Sequence, residues 1–394
     1  MIGARGHSMS PLGSPRKVKP RHALLVVAAL LATIGLARGG HEVPVYPSFY
    51  PHEIRVGTMP PERATDLLRD AKLHAYLGPE LRFPGAVPAS VRAVESLGNF
   101  VIVRINPERL ARDERSACAV VEAIVRDMAG KDGFVFHPYP VTPLHGDYLY
   151  HVDRAEAEKT RLLGAPAALP PRNLMVRTGG MLAGLVRPEW RAQGPDWDAA
   201  IEEIGAAELV AASRISVNGW LGPAWVKTGW FHAERILADA TDDAEARHRT
   251  QAMARRLKTG DYRDTVERVN LERELVATLT GGCRKRLAGY TVKRHYFSTE
   301  FSNGIENIGF DSIESLNSPI FIRTVKLKDF PWNGWLVLGI DAQPDAAWNP
   351  IAGFNDGFGR LLWSAIGDPA LFSAPYDSSW MLNRIADVQS NSGR

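Results

Sequence analysis

The sequence predicts an α/β fold in the first half and a mixed α+β arrangement in the second: an α/β lobe, then a helical pair, then an antiparallel strand region. Strand-like and helix-like segments alternate early in the chain, as in α/β layers. Two long segments with helical periodicity follow, and runs rich in β-branched and aromatic residues come after them. With 394 residues, 45% of them hydrophobic, the chain can bury a substantial core.

Residues 1–37 have the composition of a secretory signal peptide. Five basic residues and no acidic residue accompany an apolar run of fifteen residues that ends in the small-residue site Gly35-Leu36-Ala37. A bilayer span needs about 20 apolar residues, so we expect cleavage and a periplasmic protein. The alternative is an uncleaved leader that anchors the chain in the inner membrane, and the leader is the membrane contact that we expect in that case.

Charge and cysteine content restrict the function class and the compartment. Five of the 47 basic residues lie in the leader, so the remaining 42 are outnumbered by 44 acidic residues, and a nucleic-acid partner is not expected. The chain has two cysteines, Cys118 and Cys283. An oxidising compartment permits a disulfide between them, while two separate buried thiols are the alternative.

Residues 38–53 form a proline-rich segment that we expect to be an extended strap, because Pro44, Pro47 and Pro51 favour a polyproline-like path. The α/β lobe follows at residues 54–165. Its predicted strands cover residues 54–58, 73–78, 100–105 and 133–137. Its predicted helices cover residues 60–70, 90–97, 107–128 and 153–164.

The segment 164–171 is rich in alanine and proline, and we expect a domain boundary there. All ten tryptophans lie at or beyond Trp190, so residues 172–394 are predicted to form a tryptophan-rich α+β domain. Its predicted helices cover residues 242–260, 261–280 and 356–366, the first of them capped by Asp242 with Glu245. Its predicted strands cover residues 290–297, 320–327 and 335–340, the last two joined by a turn around Gly334.

The segment 137–153 contains three histidines and two aspartates, which raises the question of a metal site. A helix start at Asp153 leaves residues 147–151 extended, and four residues of strand span about 13 Å. On a helix, Asp147 and His151 would lie one turn apart, but at 13 Å they cannot share an ion. The candidate metal ligands are therefore His137, His145 and Asp147. Hydrogen-bonded loop histidines without a metal are the alternative.

The tryptophans provide the candidate ligand-binding residues. The segment 218–230 places three indoles five residues apart among glycines and a proline, which predicts an irregular loop. Indoles on loops can stack on a ligand, contact a partner or fill a core. A second group of tryptophans, Trp332 and Trp335, lies at the turn around residue 334. Arg323 on the neighbouring predicted strand adds positive charge there. The candidates are Trp220, Trp225, Trp230, Trp332, Trp335 and Arg323.

The order of segments in the first half resembles a known family. The run Ile54-Arg-Val-Gly-Thr58, the helix after it, Lys72-Leu-His-Ala-Tyr-Leu-Gly78, Phe100-Val-Ile-Val-Arg104 and a long helix that closes near Gly133 are similar to a lobe of the periplasmic solute-binding proteins of transporter systems. The resemblance covers about a third of the chain. It implies a periplasmic protein that holds a small ligand between two lobes. The tryptophan-rich half departs from the second lobe of that family.

Three functions remain open from the sequence. The first is an exported protein that binds a small ligand between its two parts. The second is a cell-envelope accessory protein that docks on a partner complex, and the third is a metal-dependent periplasmic enzyme. The sequence identifies no catalytic residue and no cofactor, because the nucleophile elbow, the dinucleotide fingerprint and the phosphate loop are all missing from it.

Overall fold

The computed structural model divides the chain into two units, Met1–Ser48 and Phe49–Arg394. It describes residues 50–109, 114–164, 173–213, 223–241, 243–300, 303–329, 334–344, 356–367, 370–376, 379–383 and 385–386. All described residues belong to the second unit. The predicted leader and most of the predicted strap, up to residue 49, lie outside the described residues.

The described residues form twelve strands and nine α-helices. The strands are β1 Glu53–Thr58, β2 Ala75–Tyr76, β3 Val91–Ile105, β4 Val135–Phe136, β5 Val176–Arg177, β6 Ala199–Gly205, β7 Lys285–Ser298, β8 Ile305–Asn307, β9 Lys326–Leu327, β10 Trp335–Ile340, β11 Leu371–Ser373 and β12 Trp380–Leu382. The helices are α1 Pro61–Arg69, α2 Glu114–Met128, α3 Val152–Gly164, α4 Ala206–Ser213, α5 Gly229–Leu237, α6 Ala244–Thr259, α7 Thr265–Thr280, α8 Pro319–Thr324 and α9 Gly357–Ile366. The predicted mixed α/β class is confirmed.

One sheet of eight strands organises the fold, in the order β1-β10-β2-β7-β3-β6-β5, with β4 also paired to β7. The pairs β1–β10, β10–β2 and β5–β6 are parallel, and the pairs along β3 and β7 are antiparallel. Strand β10 lies between β1 and β2, which precede it by most of the chain. The two predicted parts, residues 54–165 and 172–394, both supply strands to this sheet.

Helices cover both faces of the sheet at β3. Phe100 and Ile102 pack in a core with residues of α5, α6 and α7, while Val101 and Val103 pack in a second core with α2 and α3. Successive side chains of a strand point to opposite faces, so an unbroken apolar run is what a strand covered on both sides requires. This arrangement places α5 and α7, which carry the candidate site, against one face of the longest strand.

The helix predicted at residues 90–97 is wrong, because these residues are the first half of β3. Val91 to Leu97 pair with Ser298 to Val292 of β7, and the register shifts between Leu97 and Phe100. The strand therefore has 15 residues instead of the six predicted. Its long-range pairing with β7 satisfies the backbone groups that a helix would have satisfied locally.

The strand predicted at residues 320–327 is also wrong. Residues Pro319–Thr324 form helix α8 with Pro319 at its first turn, and the two-residue strand β9 pairs with β8 in a separate small sheet. The predicted hairpin onto residues 335–340 does not form, because β10 is paired in parallel to β1 and β2.

The extended path predicted at residues 147–151 is replaced by a helical turn. Residues Tyr148–Tyr150 form a 3₁₀ helix that leads directly into α3. The His151 amide donates to the carbonyl of Tyr148 at 2.8 Å, and the Ala155 amide donates to the carbonyl of His151 at 2.9 Å. Asp147 and His151 consequently lie one turn apart.

The predicted helical pair is confirmed as α6 and α7. The cap of α6 is Asp243, whose carboxylate accepts from the amides of Glu245 and Ala246, and the predicted cap Asp242 lies outside the described residues. Asp264 caps α7 in the same way. Gly260 ends α6 at a φ of 71°, a left-handed conformation that glycine adopts without strain.

The cysteines form a disulfide. Cys118 on α2 is bonded to Cys283, which lies between α7 and β7, with the two Cα atoms 4.8 Å apart. The bond ties a helix on one face of the sheet to the start of a central strand. Of the two alternatives left open by the sequence, the structure shows the disulfide.

No helix within the described part of the chain has both the length and the apolar character that crossing a membrane demands.

Candidate functional site

The N-terminus of α5 holds a buried carboxylate. Both oxygens of Asp147 accept from the Gly229 amide at 3.0 Å, and one accepts from the Trp230 amide at 3.3 Å. A Cβ at position 229 would lie 2.5 Å from the side chain of Val141, so this close approach requires glycine. Burial raises the pKa of Asp147, although the amide of Gly229 opposes the rise.

His151 lies beside Asp147 and is completely buried, with 0% of its surface exposed. Its Nδ1 atom is 2.9 Å from the hydroxyl of Tyr139, and its Nε2 atom has no hydrogen-bond partner. Burial lowers the pKa of His151 to about 4, with Asp147 opposing the shift. The imidazole is therefore neutral near pH 7, and one of its nitrogens has no polar partner.

Glu272 reaches the same place from α7 and is 1% exposed. Its Oε1 atom accepts from Arg268 Nη1 at 2.7 Å, and its Oε2 atom has no partner. Burial raises the pKa of Glu272 to about 7, with Arg268 opposing the rise and Asp147 adding to it. The carboxyl therefore titrates close to neutral pH.

Asp147, His151 and Glu272 each offer one ligand atom, and these atoms lie within 4.8 Å of one another. One imidazole nitrogen and two carboxylate oxygens are a common donor set for divalent metals. We call these three residues the buried acid–histidine cluster.

A cavity of about 210 Å³ borders this cluster. Its lining contains four aromatic side chains together with the Arg268–Glu272 ion pair: Trp225, Trp230, Tyr262, Trp380, Arg268 and Glu272. We call it the tryptophan cavity. Glu272 belongs to both features, so the cavity and the cluster are adjacent parts of one site.

Two of the predicted ligand-binding tryptophans line this cavity, but not from an irregular loop. Trp225 lies on a 3₁₀ helix, Ala224–Lys227, and Trp230 lies on α5, so the loop prediction is wrong for residues 224–230. Trp230 is 2% exposed and belongs mainly to the core, whereas Trp225 is half-buried with its ring 6.0 Å from that of Trp230. Of these two tryptophans, Trp225 is the better placed to touch a ligand.

The remaining predicted ligand-binding residues do not line the cavity or lie outside the description. Trp335 is 53% exposed and stacks under Arg55, whose guanidinium carbon is 3.9 Å from the ring centre. Arg323 lies on α8 instead of a strand, with its guanidinium carbon 5.5 Å from the ring centre of Phe372. Trp220 and Trp332 lie outside the described residues.

The structure does not bring the three predicted metal ligands together as one group. His137 bonds through Nε2 to the carbonyl of Val141 at 2.9 Å. His145 accepts at Nδ1 from the Thr142 amide and bonds through Nε2 to His232 Nδ1, both at 2.9 Å. Of the predicted three, Asp147 belongs to the acid–histidine cluster, and the two histidines hold the loop before it.

Sequence reasoning missed His151 and Glu272 for different reasons. His151 was set aside because residues 147–151 were expected to be extended. Glu272 occupies the buried face of α7, one turn before Leu275 and Val276, and a lone acid among apolar positions was its signal.

A second cavity, of about 330 Å³, lies between β1, β10, α8 and α9. Aliphatic side chains such as Ile54, Leu338 and Leu361 dominate its lining, and His52 is its polar member. It lacks the group of convergent polar atoms that orients a ligand, so the tryptophan cavity is the stronger candidate site.

No family's sequence pattern matches the chain, and no characterised protein matches its sequence.

Solved structures match about two thirds of the chain at 10–13% sequence identity. HbpA2 from Haemophilus parasuis matches with a TM-score of 0.39 at 10% identity, over 68% of this chain and 56% of that one. The oligopeptide-binding protein AppA from Bacillus subtilis, in complex with a nonapeptide, matches with a TM-score of 0.34 at 11% identity, over 65% and 57%. NikZ from Campylobacter jejuni, in complex with Ni(L-His), matches with a TM-score of 0.33 at 13% identity, over 63% and 56%.

The matched region spans little more than half the length of these proteins. With TM-scores below 0.4, this likeness carries no argument about function.

Proposed function

We propose that this protein binds a small organic ligand in the tryptophan cavity. The observation that carries the proposal is the lining of that cavity, where four aromatic side chains converge with the ion pair of half-buried Arg268 and buried Glu272. Apolar and aromatic walls with a few placed polar groups are typical of small-molecule sites. Aromatic faces supply contact area, and the ion pair supplies orientation.

The cavity also restricts the chemistry of the ligand. At about 210 Å³ it is smaller than the roughly 300–1,000 Å³ of sites for drug-sized ligands, so a small metabolite fits best. The Glu272 side chain gives the cavity wall a carboxylate that can accept hydrogen bonds. A ligand with a flat apolar part and an N–H, ammonium or hydroxyl donor matches the indoles and this carboxylate together.

We propose further that the protein works outside the cytoplasm. The Cys118–Cys283 disulfide supports this location, because disulfides persist in oxidising compartments and are rare in the cytosol. The basic, then apolar composition of residues 1–37 supports it independently. Cell fractionation with amino-terminal sequencing of the recovered protein tests both the location and the cleavage of the leader.

The ligand proposal is tested by a thermal-shift screen with a panel of aromatic amines, amino acids, dipeptides and small alcohols. A ligand present at 100 times its Kd stabilises the folded state by about 2.7 kcal/mol, which raises the melting temperature by a few degrees. For each hit, Trp225→Ala should weaken binding at least about tenfold, since stacked aromatic contacts contribute about 0.5–1.5 kcal/mol beyond their buried area. Quenching of tryptophan fluorescence measures the affinity.

Trp335→Phe is the matched control, because this indole is exposed and does not line the cavity. It should leave the affinity of each hit unchanged. A panel without hits, or hits that bind Trp225→Ala and the native chain equally well, would refute the proposal and favour the docking role on an envelope complex.

A further inference from the structure

Two buried polar atoms in the acid–histidine cluster have no partner in the protein. They are His151 Nε2 and Glu272 Oε2, on side chains that are 0% and 1% exposed. Nearly all buried polar atoms in native proteins have a hydrogen-bond partner or a bound ion, because leaving one unsatisfied costs free energy. Two such atoms on side chains of one group indicate that something binds between them.

The surrounding hydrogen bonds leave these two atoms free. The Tyr139 hydroxyl can accept the Nδ1 proton of His151, which leaves the Nε2 lone pair for a ligand. The amides of Gly229 and Trp230 orient Asp147, and Arg268 orients Glu272 through its other oxygen. Outer hydrogen bonds of this kind are what position the ligands of metal ions.

The charge balance points to a cation. Two carboxylates lie within 4.8 Å of each other, and Arg268 opposes the charge of one of them. A divalent ion between Asp147 and Glu272 would replace their mutual repulsion with attraction to both.

Donor type and spacing narrow the choice of ion. Ca²⁺ and Mg²⁺ prefer oxygen donors alone, whereas an imidazole with carboxylates suits Zn²⁺, Co²⁺, Ni²⁺, Mn²⁺ or Fe²⁺. Bonds of about 2.0–2.2 Å place opposite ligands at most about 4.4 Å apart, so ligand atoms within 4.8 Å need to move only slightly.

We propose that Asp147, His151 and Glu272 form a binding site for a divalent transition-metal ion such as Zn²⁺. Three protein ligands leave a coordination position for water or another ligand, and Glu272 also lines the tryptophan cavity, which places that position beside it. The site does not depend on the proposed organic ligand, since all three donors belong to the chain itself.

The test uses full-length protein without a histidine tag, stripped with a chelator and titrated with Zn²⁺ or Co²⁺ alone. We expect saturation at one equivalent by calorimetry and elemental analysis, with visible Co²⁺ absorption that reports nitrogen and oxygen ligands. His151→Asn and Glu272→Gln should each weaken binding by at least about 100-fold, because changes to outer-shell partners alone cost about 10–100-fold. Tyr139→Phe removes only the outer hydrogen bond to His151, so it should weaken metal binding by about 10–100-fold.

His248→Asn is the matched control, because His248 is an exposed histidine on α6 and is not part of the cluster. It should bind metal like the native chain. Circular dichroism establishes that each variant is folded. If His151→Asn does not fold, Glu272→Gln still tests the site, because its amide oxygen can accept the hydrogen bond from Arg268. The proposal would be overturned if the native chain showed no binding transition at one equivalent of metal. It would also be overturned if the folded Glu272→Gln and His248→Asn variants bound metal with equal affinity. The screen for organic ligands tests the proposed function independently of this result.

Discussion

At the residue scale, an ion pair removed from water connects the segment just before α5 to the segment between β8 and α8. Lys227 precedes α5 and pairs with Asp311, and their side chains are 5% and 1% exposed. Asp311 also accepts from the amides of Ile313 and Glu314, and Glu314 is 3.5 Å from Lys227. The buried Asp311 carboxylate therefore has Lys227 as a direct counter-charge.

Lys227→Met should lower the free energy of unfolding by about 3–5 kcal/mol. The substitution keeps most of the side-chain volume but leaves the Asp311 carboxylate buried without its counter-charge. Urea denaturation measures the change. Lys72→Met is the control, since Lys72 pairs with Asp70 in solvent, with side chains 67% and 54% exposed, and should change stability by at most about 1 kcal/mol. Equal losses in the two variants would contradict this account of Asp311.

The residue scale also shows why the sequence named only one residue of the acid–histidine cluster, Asp147, as a candidate ligand. The spacing of Asp147 and His151 was suitable for a shared ion if the segment was helical, and the structure makes it helical. Glu272 could not be joined to them from the sequence, because α3 and α7 meet only in the folded chain. His151 Nε2 and Glu272 Oε2 lack partners because they are buried in the folded chain, and the spacing of residues in the sequence does not reveal this burial.

At the element scale, the disulfide joins α2 on one face of the sheet to the beginning of β7. It closes a segment of 165 residues, which includes α3 to α7 and the acid–histidine cluster. A crosslink across so long a segment restricts the unfolded chain strongly in the chain-entropy description. The helices that carry the site are thus held between two bonded points.

Replacing both cysteines, Cys118→Ser with Cys283→Ser, should lower the free energy of unfolding by about 2–5 kcal/mol. Urea denaturation of the variant and of the native chain under reducing conditions measures the loss, and the two should agree. Unchanged stability in the double variant would mean that the bond does not restrain the unfolded chain. If the double variant were less stable but reduction did not destabilise the native chain, packing of the serines would explain the difference instead.

Elements with strong local signals were predicted well, and elements decided by partners were not. Helices α6, α7 and α9 have side-chain caps and periodic apolar faces, and they appear where they were expected. Residues 90–97 and 320–327 lack such signals. The first became strand by pairing with β7, which is distant in the chain. The second became helix α8, with Pro319 at its first turn.

At the scale of the whole molecule, buried neutral histidines connect the sheet to the segments around it. His74 bonds to the Asn303 carbonyl at 2.8 Å and accepts from the Val337 amide at 2.9 Å. His295 bonds to the Gly78 carbonyl at 3.1 Å and accepts from the Leu316 amide at 3.4 Å. Each ring donates from one nitrogen and accepts at the other, which only the neutral form can do.

Stability should therefore fall as the solution is acidified below about pH 6.5. Burial lowers the pKa of His295 to about 3, so the folded state keeps this histidine neutral while the unfolded chain takes up a proton near pH 6.5. Its contribution is complete above pH 6.5 and is lost as the pH falls toward 3, at up to about 1.4 kcal/mol per pH unit.

Urea denaturation at several pH values between 7.5 and 4.5 measures this slope. His295→Gln should reduce the slope by about that amount below pH 6, whereas the exposed His248→Gln should not change it. A pH dependence that is identical in His295→Gln and the native chain would show that His295 does not contribute to it.

The sequence by itself determined the mixed α/β class, the capped helices and the residue types of the site. Hydrophobic periodicity and capping residues can be recognised within a single segment, without its tertiary contacts. Only the tertiary structure decided that residues from both sides of positions 165–172 share one sheet, and that Asp147, His151 and Glu272 meet beside a cavity lined by aromatic side chains. Strand order and site assembly depend on contacts between distant segments, whose free energies no single segment displays.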